Sequence, residues 1–162
     1  MAIYFATFSN VALSAAQDVF EITAPTVAPV AIREISIGQY SDFGDAQSEL
    51  ISVILKRGNT TTGSGGTTLT PNTRSGRAGL TAASAVVKAN NTTVATSGSP
   101  VDLVAETFNV AAGWSYRPLP EERIVVQPGV RLVCRITAPT DAITANGTII
   151  FEEIGIDPYK PI

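Results

Sequence analysis

The sequence predicts an all-β fold: a single-domain β-sandwich, jelly-roll-like, with about 8–10 strands. Short segments alternate apolar and polar residues, and turn-forming residues separate them at intervals of about 8–12 residues. Several segments are also rich in the β-branched residues that favour strands over helices. A chain of 162 residues fits one domain, with a core large enough to need neither a disulfide nor a metal to fold.

Alternation and apolar runs predict each strand in chain order. "IREISIGQY" carries Ile35 and Ile37 on one face, and "LISVILKR" carries Ile51, Val53 and Leu55. "VRLVCRIT" is the clearest case, because Val130, Leu132, Cys134 and Ile136 face one way and Arg131, Val133, Arg135 and Thr137 the other. In "TIIFEEIG", Ile149 and Phe151 lie opposite Ile150, Glu152 and Ile154. The predicted strands are Ile3–Ser9, Gln17–Thr23, Ile32–Tyr40, Leu50–Arg57, Ala82–Ala89, Val101–Val110, Arg123–Gln127, Val130–Thr137 and Thr148–Gly155.

Turn chemistry separates these strands. The predicted turns are Ser41–Asp45, Asn90–Asn91, Ser97–Pro100, Gln127–Gly129 and Asn146–Gly147. We divide the chain into residues 1–16, an N-terminal strand or arm, residues 17–157, the β-sandwich domain, and residues 158–162, a C-terminal tail.

The stretch Gly58–Gly79 holds six glycines and seven threonines in 22 positions and follows an apolar run. Gly58 and Gly63 have the spacing of a phosphate-binding loop. Such a loop continues with a lysine and a hydroxyl residue, and here Ser64 and Gly65 follow. We therefore predict a long connection between strands, mobile alone, that orders on a neighbouring subunit.

Composition narrows the function. Charged residues make up only 15% of the chain, against about 25% in typical soluble domains, which favours oligomerisation. The net charge of -3 and the scattered basic residues argue against nucleic acid. No apolar run approaches the ~18 residues that span a membrane, and no basic leader precedes the first apolar segment, so we expect a protein made in a cytoplasm.

No residue pattern points to catalysis. The chain has no histidine, and its single cysteine, Cys134, lies within an apolar strand pattern and is expected to be a buried hydrophobe. Glu121–Glu122 and Glu152–Glu153 are neighbours in sequence, so in a strand they would face opposite ways. We predict no enzyme activity, no cofactor and no metal.

The segment "GWSYRPLP" holds the only tryptophan together with Tyr116 and Arg117. These residue types are enriched at the energetic centres of interfaces, whereas the alternative is a tryptophan half-buried under a loop. The candidate interface residues are Tyr4, Phe5, Phe8, Arg74, Arg77, Trp114, Tyr116 and Arg117.

The chain resembles small virion proteins of tailed bacteriophages. The likeness lies in "IREISIGQYSDFGDAQSELISVILKRG", in the glycine- and threonine-rich stretch after it, and in "RIVVQPGVRLVCRITAP" with "NGTIIFEEIG". It implies a jelly-roll decoration (cement) protein or head-fibre base. Such a protein would form a homo-oligomer, usually a trimer, bind the major capsid protein and reside in the virion. Similar sandwiches also serve as receptor- or glycan-binding modules of phage fibres.

Overall fold

The computed structural model describes residues 2–40, 49–74 and 82–155. This part of the chain contains twelve β-strands, one 3-10 helix and no α-helix. The strands are β1 (Ala2–Leu13), β2 (Gln17–Thr23), β3 (Val30–Gln39), β4 (Leu50–Thr61), β5 (Thr67–Leu69), β6 (Asn72–Thr73), β7 (Val86–Asn91), β8 (Thr96–Asn109), β9 (Trp114–Tyr116), β10 (Val125–Val126), β11 (Arg131–Ile136) and β12 (Ile143–Glu153). The 3-10 helix, η1, spans Pro120–Glu122.

The strands form two antiparallel sheets that pack face to face. Sheet A has the order β10-β3-β12-β1-β6, with β9 also paired to β3, and sheet B has the order β5-β7-β2-β11-β4-β8. The main strands alternate between the sheets along the chain: β1, β3, β9 and β12 lie in sheet A, and β2, β4, β8 and β11 in sheet B. This order is that of a jelly roll, and it confirms the predicted fold class.

The prediction was less accurate in the details of the strands. It missed the short strands β5, β6 and β9, and it placed strand structure at Arg123–Gln127, where only Val125–Val126 pairs. Three predicted turns are wrong. Asn90–Asn91 forms the end of β7, where Asn90 has a positive φ angle of 58°. Ser97–Pro100 lies within β8, where Ser97 and Gly98 have positive φ angles of 61° and 78° and β4 shifts its register opposite them. Asn146–Gly147 lies in the middle of β12. The turn predicted at Ser41–Asp45 and the tail at residues 158–162 lie outside the described residues.

Gly147 illustrates why a turn-forming pair occurs inside a strand. It faces the core, and the ring of Phe8 occupies the space that a Cβ atom at position 147 would need. Phe8 in turn packs against Phe20 of sheet B, with ring centroids 5.1 Å apart. A glycine at this position lets an aromatic pair fill the space between the sheets.

Gly147→Ala is therefore expected to lower the free energy of unfolding by about 1–3 kcal/mol, the usual range for overpacking a core. Gly38→Ala is the matched control. Gly38 pairs with Asn146 on the neighbouring strand, and no atom lies within 4 Å of its would-be Cβ. Urea denaturation followed by circular dichroism measures both variants. Equal stabilities would contradict the tight contact between Phe8 and Gly147.

Two segments of the chain cross the outer face of sheet B. Residues 62–66 lead from β4 to β5 at the far edge, and residues 92–95 lead back from β7 to β8. The two segments pair with each other through a β-bridge between Ser64 and Thr93. Val133, on the outward face of β11 and paired with Glu21, is fully buried although the sequence pattern placed it opposite the core.

The glycine-rich stretch lies against the sheet because its glycines permit close approach. A Cβ atom at Gly63 would lie 2.7 Å from Asn91 Nδ2 and from Thr93 O, and one at Gly66 would collide with the backbone of β7. The stretch continues into β5 and β6, and Leu69 packs against the core. For residues 58–74, the prediction of a mobile connection is therefore wrong. Residues 75–79 lie outside the described residues.

Two buried carboxylates of β2 hold these crossing segments. Glu21 accepts hydrogen bonds from the Gly63 amide at 2.8 Å and from Asn91 Nδ2 at 3.0 Å. Arg131 Nε lies 2.8 Å from Glu21 Oε1, as an ion pair rather than a well-aligned hydrogen bond. These contacts tie the segment of residues 62–66 to the two central strands β2 and β11.

Asp18 holds the second crossing segment in the same way. It accepts hydrogen bonds from the Ala95 amide at 2.6 Å and from Arg135 Nε at 2.7 Å. Arg135 also donates through Nη2 to the Ala95 carbonyl at 2.8 Å. Because each carboxylate has both an arginine and backbone donors, the cost of burying its charge is compensated.

Candidate interaction surface

The N-terminal aromatic residues belong mainly to the core. Tyr4 is fully buried and stacks on Phe151 with ring centroids 5.5 Å apart, and Phe8 is also buried. Phe5, on the opposite face of β1, is half-buried. Because β1 lies between β12 and β6, residues 2–13 form a strand of the sandwich. The side chains of Tyr4 and Phe8 are therefore not available as an arm that contacts a neighbour.

The candidate arginines near the glycine-rich stretch are placed only in part. Arg74 follows β6 and is exposed, and its amide donates to the Ile3 carbonyl at 3.3 Å. Within the described residues, no carboxylate forms an ion pair with Arg74. Arg77 lies outside the described residues.

Trp114, Tyr116 and Arg117 lie together on the opposite side of the sandwich. Trp114 is 8% exposed, and its Nε1 donates to Glu106 Oε2 of β8 at 2.6 Å. The Tyr116 hydroxyl donates to the Glu122 carbonyl at 3.3 Å. Arg117, which is mostly exposed, forms an ion pair with Glu34 at 2.8 Å. Trp114 thus packs more deeply than either sequence interpretation assumed, whereas its two neighbours reach the surface.

On this side of the molecule an edge strand of one sheet lies beside an edge strand of the other. β8 is the edge strand of sheet B and β9 pairs at the edge of sheet A, and the Trp114–Glu106 hydrogen bond joins them. Beside these two strands, apolar side chains that are only partly buried pack against the core: Leu103, Val104, Phe108, Tyr116 and Ile124. We call these five residues the β8–β9 seam.

The seam has an apolar and acidic border. Val101 on β8 is 52% exposed and Leu119, between β9 and η1, is 63% exposed. Glu106, Glu121 and Glu122 are exposed, and none of them forms an ion pair with a described residue. An uncovered apolar strip with a polar rim is typical of a protein contact surface.

Sequence reasoning missed β8 as a surface element. The segment "VDLVAETFNV" has apolar residues without clean alternation, because β4 shifts register beside it between Leu55 and Lys56 and the pattern changes face there. This broken alternation is the feature of the sequence that could have identified β8 as an exposed strand. It distinguishes β8 from the regularly alternating β11 and β12.

An open groove lies on the outer face of sheet A. Its volume is about 370 Å³, and its lining includes Ser36, Gly38, Ser115, Asn146 and Thr148. Thr148 pairs with Ser36, and Ser36 pairs with Ser115, so hydroxyl groups form a row across β12, β3 and β9. Hydroxyl and amide groups both donate and accept hydrogen bonds, as needed for a polar, uncharged ligand.

The buried ionisable groups are structural in character. Cys134 is buried as predicted, and burial together with the charge of Asp18 raises the pKa of its thiol far above the usual range. Glu152 and Glu153 face opposite ways, as their spacing predicts: Glu152 lies 3.6 Å from Arg33, and Glu153 accepts hydrogen bonds from the Ser84 and Ala85 amides. In the described part of the chain, no three cysteine, aspartate or glutamate residues group as metal ligands.

The buried carboxyl of Glu153 is expected to make the free energy of unfolding fall as pH rises. The carboxyl is fully buried, its Oε2 has no hydrogen-bond partner among the described residues, and burial raises its pKa above 4.5. Because the fold prefers the protonated acid, its contribution to stability is complete below pH 4.5 and is lost as pH rises through the raised pKa.

Glu153→Gln removes this titration, since an amide keeps an acceptor for the two backbone amides without a charge. The free energy of unfolding of the variant minus that of the wild type is expected to increase with pH above 4.5. Urea denaturation at a series of pH values measures the difference. Two curves that stay parallel would contradict the raised pKa.

Comparison with protein-family models, curated proteins and solved structures found no match to this chain. Among the described residues, no helix has the length and apolarity needed to cross a membrane.

Proposed function

We propose that the chain is a non-enzymatic structural protein of a bacteriophage particle, a decoration (cement) protein that binds the capsid lattice as a homo-oligomer, most simply a trimer. The observation that carries the proposal is the β8–β9 seam, an apolar strip that is only partly buried in one copy of the chain. The low content of charged residues and the sequence resemblance to small virion proteins support it. Its mechanism would be mechanical, because a rigid sandwich that contacts two capsomers resists their separation.

The first test is assembly and capsid binding. The purified chain is expected to sediment as an oligomer and to co-sediment with phage capsids stripped of their outer proteins. Counting its copies in intact virions then separates two locations: hundreds of copies indicate decoration, and a handful indicates a fibre or tail. A monomer that does not bind capsids would rule the proposal out.

The groove on sheet A favours a second candidate, a receptor- or glycan-binding module of a phage fibre. Its row of hydroxyl groups and Asn146 offer the hydrogen bonds that sugar hydroxyls require. A glycan array with the wild-type chain and with Ser115→Arg, which fills the groove from the exposed strand β9, tests this function. Binding that Ser115→Arg abolishes supports recognition, and an empty array excludes the glycans displayed.

A further inference from the structure

We infer that the β8–β9 seam of one copy binds the β5–β6 side of the next copy, so that the chains assemble head to tail into a closed ring. The inference rests on the proposed homo-oligomer and names the two surfaces that build it. In the fold these surfaces lie on opposite sides of the sandwich, because β8 and β5 are the two edge strands of sheet B.

The two surfaces have complementary charge. The border of the seam carries the exposed carboxylates Glu106, Glu121 and Glu122. On the β5–β6 side, Arg74 is exposed without an ion pair among the described residues, and residues 67–74, which contain β5 and β6, include neither aspartate nor glutamate. The acidic border of the seam in one copy would therefore lie against the β5–β6 side of the next copy, which carries Arg74 and no carboxylate between residues 67 and 74. Opposite charge favours this contact over one between two identical surfaces.

The same charges disfavour a symmetric contact of two seams. A twofold interface places identical surfaces opposite each other, so the carboxylates of both copies would meet. If two β8 strands paired antiparallel about Val104, Asp102 of each would lie opposite Glu106 of the other, and like charges in that position destabilise a strand pair. The head-to-tail contact avoids this repulsion.

Backbone and apolar groups at both surfaces are available for the contact. β8 pairs with β4 on one side and β5 with β7 on one side, and no described strand covers their other edges. The half-buried side chains of the seam, with Val101 and Leu119 beside it, supply apolar area that a neighbouring subunit would bury. A head-to-tail contact closes into a ring when the rotation between neighbouring subunits divides a full turn.

Charge reversal on each surface tests the inference. Glu121→Arg with Glu122→Arg reverses the seam border, and Arg74→Glu reverses the other surface. All three side chains are exposed, so the fold should be retained, as circular dichroism checks. Sedimentation velocity at low salt is expected to show an oligomer for the wild type and an increase of about tenfold or more in the dissociation constant for each variant. Asp141→Arg, a reversal in the exposed loop between β11 and β12, is the control and should leave the mass unchanged.

Combining the reversals shows whether the two surfaces meet each other. The triple variant, with both surfaces reversed on one chain, is expected to regain the oligomer. In an equimolar mixture of the two single-surface variants, each junction between unlike variants again joins an acidic to a basic surface, so the mixture should also assemble, whereas each variant alone should not. If the double reversal fails to fold, Glu121→Arg alone gives the same comparison.

The outcomes separate the inference from the proposed function. A wild-type oligomer whose mass none of the reversals changes overturns the inference and leaves the homo-oligomer standing. Dissociation by either single-surface change without rescue in the triple variant also overturns the pairing of these surfaces. A monomeric wild-type chain overturns the homo-oligomer itself, and the inference with it.

Discussion

Glu21→Ala is expected to lower the free energy of unfolding by about 3–5 kcal/mol, the range for breaking a buried ion pair from one side. The side chains of Glu21 and Arg131 are only 2% and 14% exposed, so removal of the carboxylate leaves the guanidinium partly buried and without this counter-charge. The Gly63 amide and the Asn91 side-chain amide lose their acceptor at the same time. The segment of residues 62–66 is therefore expected to detach from the outer face of sheet B.

Asp102→Ala is the matched control for this prediction. Asp102 also forms an ion pair, with Lys56 at 3.2 Å, but its side chain is 51% exposed. Exposed pairs contribute at most about 1 kcal/mol, so the control should change stability little. Urea denaturation at neutral pH compares the two, and equal losses would show that burial does not strengthen the Glu21 contacts.

A double variant identifies the source of the loss. Arg131→Met in the Glu21→Ala background removes the cation and keeps an apolar stem of similar length, so part of the lost stability should return. A double variant less stable than Glu21→Ala would instead mean that Arg131 acts through its hydrogen bond to the Asn59 carbonyl. The result shows whether charge or packing contributes more to stability on the outer face of sheet B.

Trp114→Ala is expected to cost a similar amount, about 3–5 kcal/mol, because the indole is part of the core. For a domain of this size that loss lowers Tm by about 10 °C. The variant also loses the Nε1 hydrogen bond to Glu106, which joins the edges of the two sheets beside the seam. Differential scanning calorimetry measures both effects together.

Trp114→Phe and Tyr116→Phe resolve the two contributions. The first keeps most of the buried ring and removes the hydrogen bond to a charged acceptor, for an expected loss of about 1–3 kcal/mol. The second removes a hydroxyl that donates to a backbone carbonyl at 3.3 Å in a partly exposed setting, so its effect should be smaller. If Trp114→Ala kept its full Tm, the indole would be a surface residue and not part of the core.

Trp114 also bears on the choice of functional tests. A change at this position lowers stability, so loss of binding in Trp114→Ala would not distinguish a contact residue from a loosened fold. Ser115→Arg and the reversals at Glu121 and Glu122 change exposed side chains and avoid this ambiguity.

Most of the fold was predictable because strand periodicity is a local property. β2 has the predicted bounds, and in β11 and β12 the predicted inward faces of Leu132, Cys134, Ile149 and Phe151 are buried. Burial of alternate residues requires only a core on one side of the sheet. The same pattern failed for Val133, which is buried on the outward face of β11, the side on which Glu21 holds residues 62–66.

The candidate surface was less predictable than the fold. Composition pointed to the region of Trp114, Tyr116 and Arg117, which does lie beside the seam, but it could not tell the buried indole from the exposed guanidinium. Sequence reasoning also placed Tyr4 and Phe8 among the candidate interface residues, although both lie in the core. Exposure depends on which strand becomes an edge, and strand order is a long-range property.

The sequence by itself determined the class of fold, the inward faces of the main strands and the absence of a phosphate-loop lysine after Gly63. Tertiary structure alone decided the role of the glycine-rich stretch that follows. Its glycines look like those of a mobile loop, but they permit residues 62–66 to lie on sheet B, where Glu21 and the Ser64–Thr93 bridge hold them. The physical reason is that a missing Cβ allows close approach, and only the assembled sheets determine what approaches.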